Sequence, residues 1–447
     1  MKKKKRAGSP VYFVSGGVSK FTKARLDLTF AAMIKEATDQ MVEDLDLPYR
    51  KFLEILRTSR GGTKASYFSD HFTRQLMAGI MGQDIQGFCP LPSNRVEGGG
   101  ATGGICFQEA YKEIASGALD LCVAFGFETM SHVRTWKGNE FIALASDTNF
   151  DYPVGGFYSG YYAMMVTRHM HEFGTTVEQM AMVSVKNHRN AYYNPYAQKR
   201  EKLTVEDVRK SEMVAWPLTR RDICVMSDGA ASCLLVSEKG LWALEKSGAK
   251  IRSVVRITGI GRGTDAMRMA DRPHGEVELL AWEKKKDYAD LKYPGVHSFR
   301  AGRFAAKEAY EMAGITNPLE DLDFIELHDA YTSSEIQTYE DLGLCKYGEG
   351  GKFVEKGIPF LKGIDYGMPF KSKERLPVNP SGGLIACGHP VGATGLMQGV
   401  FSLWQMQGRI KAHFGTGDLQ VPKAKRGLWH SHAGTGTYVT VTIGEKA

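Results

Sequence analysis

Residues Val378 to Gly395 read VNPSGGLIACGHPVGATG and set one thiol and one imidazole, Cys387 and His389, among five glycines and two prolines. A thiol and an imidazole so close together suit proton transfer or nucleophilic work. Glycine lets backbone approach a ligand and take positive φ, and proline fixes the turn. After Thr394 the apolar Leu396, Val400, Leu403 and Trp404 fall at helical spacing. The loop therefore feeds into a helix, whose first turn offers unpaired N–H groups and a positive dipole end that favours thiolate and other anions. A second glycine loop, Val96 to Gly104 (VEGGGATGG), opens another helix. It lacks the Lys-Ser/Thr of a phosphate loop and the acidic residue of a dinucleotide site.

The elements that must carry these loops alternate. Pro10 to Ser15 reads as a strand ending in a Gly16-Gly17 turn, Leu26 to Leu45 as an amphipathic helix, and Phe52 to Leu56 as a second strand. His71 to Met81 reads as a helix, Ile105 to Ser116 as the helix after the glycine loop, and Leu119 to Phe127 as a buried strand. From about 131 to 220 aromatics, Met and His are dense, which marks an insertion with helices of its own. Ser227 to Ser237 returns to a turn and strand. The second half repeats the order: a helix over Arg300 to Met312, a strand over Asp323 to Leu327, and a loop from His328 to Thr332. A helix over Ser334 to Leu342 follows, then the central loop and its helix, and finally strands over Leu428 to His432 and Thr437 to Ile443. This is a mixed α/β layer architecture in two halves, 8–260 and 261–447.

At 447 residues, 43% hydrophobic and with 50 glycines, the composition is that of a globular enzyme. The net charge of +7 draws five of its positives from Lys2 to Arg6, a solvated terminus. No nucleic-acid motif follows it and no apolar run reaches membrane-spanning length. The seven cysteines form no CxxC pair, which argues against a metal in this chain and against a disulfide framework, and implies a cytoplasmic setting.

The Cys-Gly-His-Pro stretch resembles the C-terminal signature of the thiolase superfamily, most closely its sterol-carrier-protein-type branch. The resemblance extends in order through Phe21-Thr-Lys23, the loop at 98–104 with its strand ending Gly126-Phe-Glu128, Lys186-Asn-His-Arg-Asn190, Ser227-Asp-Gly-Ala230 and Glu326-Leu-His-Asp329. It implies a duplicated fold of two mixed-sheet α/β halves in αβαβα layers, with the insertion in the first half forming a loop domain for substrate and coenzyme A. It also implies an acyl-CoA substrate, a homodimeric core and a small zinc-ribbon/OB-fold partner subunit. In the family the loop at 98–104 carries a nucleophilic cysteine. Counting back from Gly117 and Leu121–Gly126 puts that position at Gly100, which has no side chain. Cys106, the nearest thiol, lies inside the helix and reads as a packing residue.

The other family positions are filled. His328 matches the oxyanion-hole residue, Cys387 the acid/base thiol and His389 the base; His432-Ala-Gly434 stands where other thiolases have Cys-x-Gly. Asn187, His188, Gly388 and Gly434 are the expected substrate and coenzyme A contacts. An oxyanion hole stabilises a thioester enolate with or without an acyl-enzyme. The leading expectation is retro-aldol cleavage of a bulky β-hydroxyacyl-CoA, with His389 or Tyr331 taking the hydroxyl proton and Cys387 protonating the enolate. A Claisen-type β-ketoacyl-CoA thiolase or acyltransferase reaction, with coenzyme A attacking directly, is the alternative. A non-catalytic subunit of an acyl-transfer complex is the third reading.

Overall fold

The computed structural model describes residues 8–272, 277–289, 291, 295–370, 372–373 and 375–447; the basic start of the chain lies outside the described residues. The strands are β1 (Tyr12–Val18), β2 (Gly61–Ser66), β3 (Ser93–Val96), β4 (Leu121–Thr129), β5 (Met213–Ala215), β6 (Leu218–Thr219), β7 (Asp228–Val236), β8 (Val255–Thr264), β9 (Phe324–Glu326), β10 (Arg426–Ala433) and β11 (Tyr438–Lys446). β5 and β6 pair as a separate hairpin. The other nine form one sheet in the order β3-β2-β4-β7-β1-β8-β11-β10-β9.

The duplication is visible in the pairing. β2 runs parallel to β4, β4 antiparallel to β7 and β7 antiparallel to β1. β9 likewise runs parallel to β10, β10 antiparallel to β11 and β11 antiparallel to β8. The two runs join through β1 and β8 at Tyr12↔Arg256 and Phe13↔Val255. β8 spans Val255–Thr264, across the expected boundary at 260/261, and pairs along its length with β11.

Seven helices matter for the site: α1 (Phe30–Glu43), α2 (Thr102–Ala115), α3 (Tyr158–Phe173), α4 (Val177–Tyr192), α5 (Arg300–Ala313), α6 (Thr332–Asp341) and α7 (Val391–Gln407). α2 and α7 pack on each other in the central layer, where Cys106, Phe107, Leu396, Val400 and Trp404 share one buried core. α1 covers the first-half strands and α5 covers β8 and β11. The central crossing is close because it is made of glycine: a Cβ on Gly395 would lie 2.1 Å from the amide nitrogen of Gly104. That crossing brings the starts of α2 and α7, and so both glycine loops, side by side. α3, α4 and the β5–β6 hairpin come from the insertion.

Three local expectations are corrected. Phe52 to Leu56 is not a strand but part of a helix, Tyr49–Thr58, which buries Phe52, Ile55 and Leu56 on one face. The strand beside it is Gly61–Ser66, poor in large apolar residues. β1 continues through Gly16 and Gly17 to Val18, where a turn was expected; a Cβ on Gly17 would lie 2.1 Å from the Ala37 carbonyl oxygen of α1. The helix expected over His71 to Met81 is two pieces, Asp70–Thr73 and Ala78–Ile85, because Arg74 and Met77 between them are left-handed.

Candidate active site

Two loops meet at the ends of β9 and α7. The turn Gly383–Cys387 wraps as a single π-helical turn between Gly382 and Gly388, both at positive φ. A Cβ on Gly383 would lie 2.2 Å from Asp329 Oδ2, so glycine is what admits the Asp329 carboxylate. That carboxylate accepts the Leu384 N–H at 2.6 Å and the Ile385 N–H at 3.4 Å, which ties the His328–Tyr331 loop to the Cys387–His389 loop. The segment from Ile223 to Ser227 runs between them. Cys224 N–H donates to the Ala330 carbonyl, and His389 N–H donates to the Val225 carbonyl and Ser227 Oγ.

Beneath the loops lies a buried polar network. Lys186 Nζ pairs with Glu335 Oε1 at 2.9 Å, both side chains being 0% exposed, and donates to the Val378 carbonyl at 2.7 Å. Asn187 Nδ2 donates to Asp329 Oδ2 at 2.7 Å and to Glu335 Oε2 at 2.8 Å. Buried charges persist when paired and hydrogen-bonded. Burial and the Glu335 charge push Asp329 well above its ordinary carboxyl value. Burial also raises Glu326, which accepts from the Ser381 hydroxyl, to about 7. Asn187, expected at the ligand, therefore holds the loops together from below.

Three imidazoles gather above this base. The His328 ring centroid is 4.8 Å from that of His389 and 4.2 Å from that of His432. The hydrogen bonds fix two tautomers. Thr394 Oγ1 donates to the Pro390 carbonyl at 3.0 Å, so it accepts from His389 Nδ1–H at 2.7 Å and leaves His389 Nε2 as a bare lone pair. The Tyr162 hydroxyl donates to the Gly434 carbonyl at 2.7 Å, so at 2.6 Å it accepts from His432 Nε2–H. Burial lowers His389 to about 3. Burial, and then the neighbouring imidazoles, hold His328 and His432 well below the ordinary value. All three rings are neutral at pH 7.

Gly100 sits against this cluster. A Cβ there would lie 2.5 Å from the His432 carbonyl oxygen and 3.3 Å from His328 Cε1. The space a nucleophilic side chain would need is filled by backbone. Cys106 is fully buried, its Sγ 3.6 Å from the Lys64 carbonyl, and burial raises its thiol well above the ordinary range.

A cavity of about 1360 Å³ opens over these groups, and Gly100, His328, Tyr331, His389, His432 and Gly434 line its floor. The insertion supplies Tyr158, Ser159, Tyr162 and His188, with Tyr162 stacked on Tyr331 at 4.0 Å. Lys23, Arg134, Lys199, Lys210, Arg220 and Arg221 also line it, against the acidic Glu201, Asp207 and Glu212. Of the residues expected here, Asn187, Cys387 and Gly388 are not among its lining. Cys387 is 0% exposed, its Sγ 3.6 Å from Asn194 Nδ2 and 3.7 Å from Met397 Sδ, and burial raises its thiol well above the ordinary range. Cys224, a thiol not expected at the site, does line it, and burial pushes it up to about 12.

Sequence reasoning missed Tyr158, Tyr162, Cys224 and the part His432 plays. The alternation His430-Ser-His432 within a strand was the available signal, because such residues share one face. Among the described residues no three or more His, Cys, Asp or Glu side chains are arranged to hold a metal ion, and no helix is long and apolar enough to cross a membrane.

Thiolase, N-terminal domain, matches residues 86–239, and Thiolase C-terminal domain-like matches residues 288–446. The chain belongs to the thiolase superfamily, in its sterol-carrier-protein-type branch. It is 35% identical to Acetyl-CoA acetyltransferase of Methanothermobacter thermautotrophicus over 93% of this chain and 94% of that one. It is 30% identical to Sterol carrier protein 2 of Homo sapiens over 97% of this chain and 71% of that protein. Among solved structures, an Ltp2-ChsH2(DUF35) aldolase superposes with a TM-score of 0.71 at 20% identity, covering 98% of each chain.

Proposed function

We propose that this protein breaks the Cα–Cβ bond of a bulky β-hydroxyacyl-CoA by retro-aldol cleavage, with no covalent intermediate. The observation that carries the reading is Gly100: it faces the imidazole cluster, and its missing side chain has no room to be restored. Cys224, the thiol on the cavity wall, stays protonated near neutrality at a value of about 12 and makes a poor nucleophile. His328 offers its ring to the thioester oxygen, where one such donor contributes about 3–4 kcal/mol to an enolate-like transition state. His389 Nε2, bare and open to the cavity, takes the hydroxyl proton. Tyr331 is less suited, because burial raises its phenol and its hydroxyl bonds Ser159 at 3.2 Å.

The cavity volume and the Tyr158–Tyr162–Tyr331 wall suit a bulky acyl group, and the six basic residues suit the phosphates of coenzyme A. The Claisen alternative keeps one specific support, since a 35% identical relative is an acetyl-CoA acetyltransferase. There His389 Nε2 would deprotonate the coenzyme A thiol. A homodimer is supported by Leu76, Met77, Ile80, Met81 and Ile85, all exposed beside the edge strand β3. A small zinc-ribbon/OB-fold partner is supported by the two-component name of the aldolase neighbour.

The test is turnover by the purified protein, alone and with such a partner. Cleavage of β-hydroxyacyl-CoA, and not of β-ketoacyl-CoA, is the expected result. Cleavage of the ketoacyl-CoA alone points to Claisen chemistry, and cleavage of neither points to a non-catalytic subunit.

A further inference from the structure

The basic residues that line the cavity divide by what faces them. Lys199, Lys210, Arg220 and Arg221 come from one stretch of the insertion, and each lies beside a carboxylate. The pairs are Lys199–Glu201 at 3.9 Å, Lys210–Glu206 at 2.5 Å, Arg220–Glu212 at 3.9 Å and Arg221–Glu201 at 2.5 Å. Asp207, also on the lining, adds a further negative charge to that stretch. Lys23 and Arg134 differ. Both are exposed to the cavity, neither side chain has a hydrogen-bond or ion-pair partner among the described residues, and no lining carboxylate comes from the segments that carry them.

Those two segments are fastened together and to the His389 loop. The Asp228 carboxylate accepts the Arg25 N–H at 2.9 Å and the Ser131 N–H at 2.8 Å, which joins the chain after β1 to the chain after β4. Phe21, just before Lys23, packs on the loop: a Cβ on Gly388 would lie 3.2 Å from Phe21 Cβ. Met130, just before Arg134, shares a buried cluster with Val391, just after His389. The two cations therefore stand on the His389 side of the cavity. Between them and the imidazoles the lining is apolar, with Phe68, Met130, Val133, Ile142, Met226 and Val391 packed as one cluster.

We infer that Lys23 and Arg134 form a carboxylate subsite of this cavity, so that the preferred acyl group carries a free carboxylate remote from its thioester. The inference deepens the reading above and rests on it for the acyl-CoA class of substrate. Cations that no protein carboxylate already faces gain most from an incoming anion, and the guanidinium fork of Arg134 matches a carboxylate. The hydrocarbon stem of the acyl group lies along the apolar cluster, with the reacting carbons at His389 and the anionic end at the two cations. Coenzyme A brings anions too, but its pantetheine arm holds the phosphates far from the thioester. They fall to the cations of the 199–221 stretch, while an anion close to the reacting carbons belongs to the acyl group.

The test is calorimetric binding, on the full-length protein, of two thioesters that differ only at the far end: adipyl-CoA, with a free carboxylate, and hexanoyl-CoA, with a methyl group. Coenzyme A is common to both, so the ratio of the two affinities reads the acyl end alone. No cleavage is needed, which separates failure of this inference from failure of the aldol reading. The wild-type protein should bind adipyl-CoA about tenfold more tightly, and Lys23→Met combined with Arg134→Met should bring the two affinities within about twofold. Lys23→Arg keeps the charge and should keep the preference. Added salt should narrow it, as for any solvent-exposed charge pair. Equal affinities in the wild-type protein overturn the inference. So does a double substitution that weakens both thioesters alike and leaves their ratio intact, which would put the coenzyme A phosphates at these cations. A preference that behaves as expected without cleavage of any β-hydroxyacyl-CoA would leave the subsite standing and remove the aldol reading.

Discussion

His389 shows how far one side chain could be read ahead of the structure. Its place among glycines before a helix made it a proton-transfer candidate, and the structure adds which nitrogen is free, because Thr394 takes Nδ1–H. Sequence carried no information on that hydrogen bond, nor on the burial that lowers the ring to about 3. The sign of that shift has a consequence for activity. A lowered imidazole value keeps the basic form dominant as pH falls, so kcat/KM for the β-hydroxyacyl-CoA should stay flat from about pH 8 to about pH 5. A pH–rate profile with an acid limb near the ordinary imidazole value of about 6.5 would contradict the assignment. Cys387 marks the opposite limit. The family resemblance implied an acid/base thiol there, and the structure encloses its sulfur between Asn194 and Met397, away from the cavity lining.

At the scale of elements, the order of strands and helices was legible, and the lapses have physical causes. Phe52 to Leu56 holds β-favouring residues, but Phe52, Ile55 and Leu56 are one face of a helix, and the true strand beside it begins with Gly61, where a Cβ would strike the Leu56 carbonyl. The network that seats the two loops could not be read at all, because it joins α4, α6 and the loop at Val378 across distant parts of the chain. It can be tested. Lys186→Met leaves the Glu335 carboxylate buried beside Asp329 without its cation, and should lower unfolding stability by about 3–5 kcal/mol in chemical denaturation. A loss below about 1 kcal/mol would show that the pair does not hold the loops.

For the molecule as a whole, two half-sheets of the same strand order meet at β1 and β8, and the α2–α7 crossing sets both glycine loops under one cavity. The duplicated plan was visible from the repeated order of elements, and the family resemblance implied that the insertion binds substrate, but the residues that line the cavity were not legible, since they come from distant parts of the chain. The apolar residues beside β3 lead to an assembly prediction. Light scattering should give a dimer mass, and Met77→Asp with Ile80→Asp should shift it to the monomer; a wild-type monomer would contradict the proposed interface. The central claim is that carbon–carbon cleavage proceeds here without an enzyme nucleophile. It is tested most directly by following a bulky β-hydroxyacyl-CoA with the wild-type protein while recording the intact protein mass. Release of a ketone or aldehyde and the shortened acyl-CoA, with the protein mass unchanged throughout, is the expected result. An acyl adduct on Cys106 or Cys224 that forms and decays at the rate of turnover would contradict it.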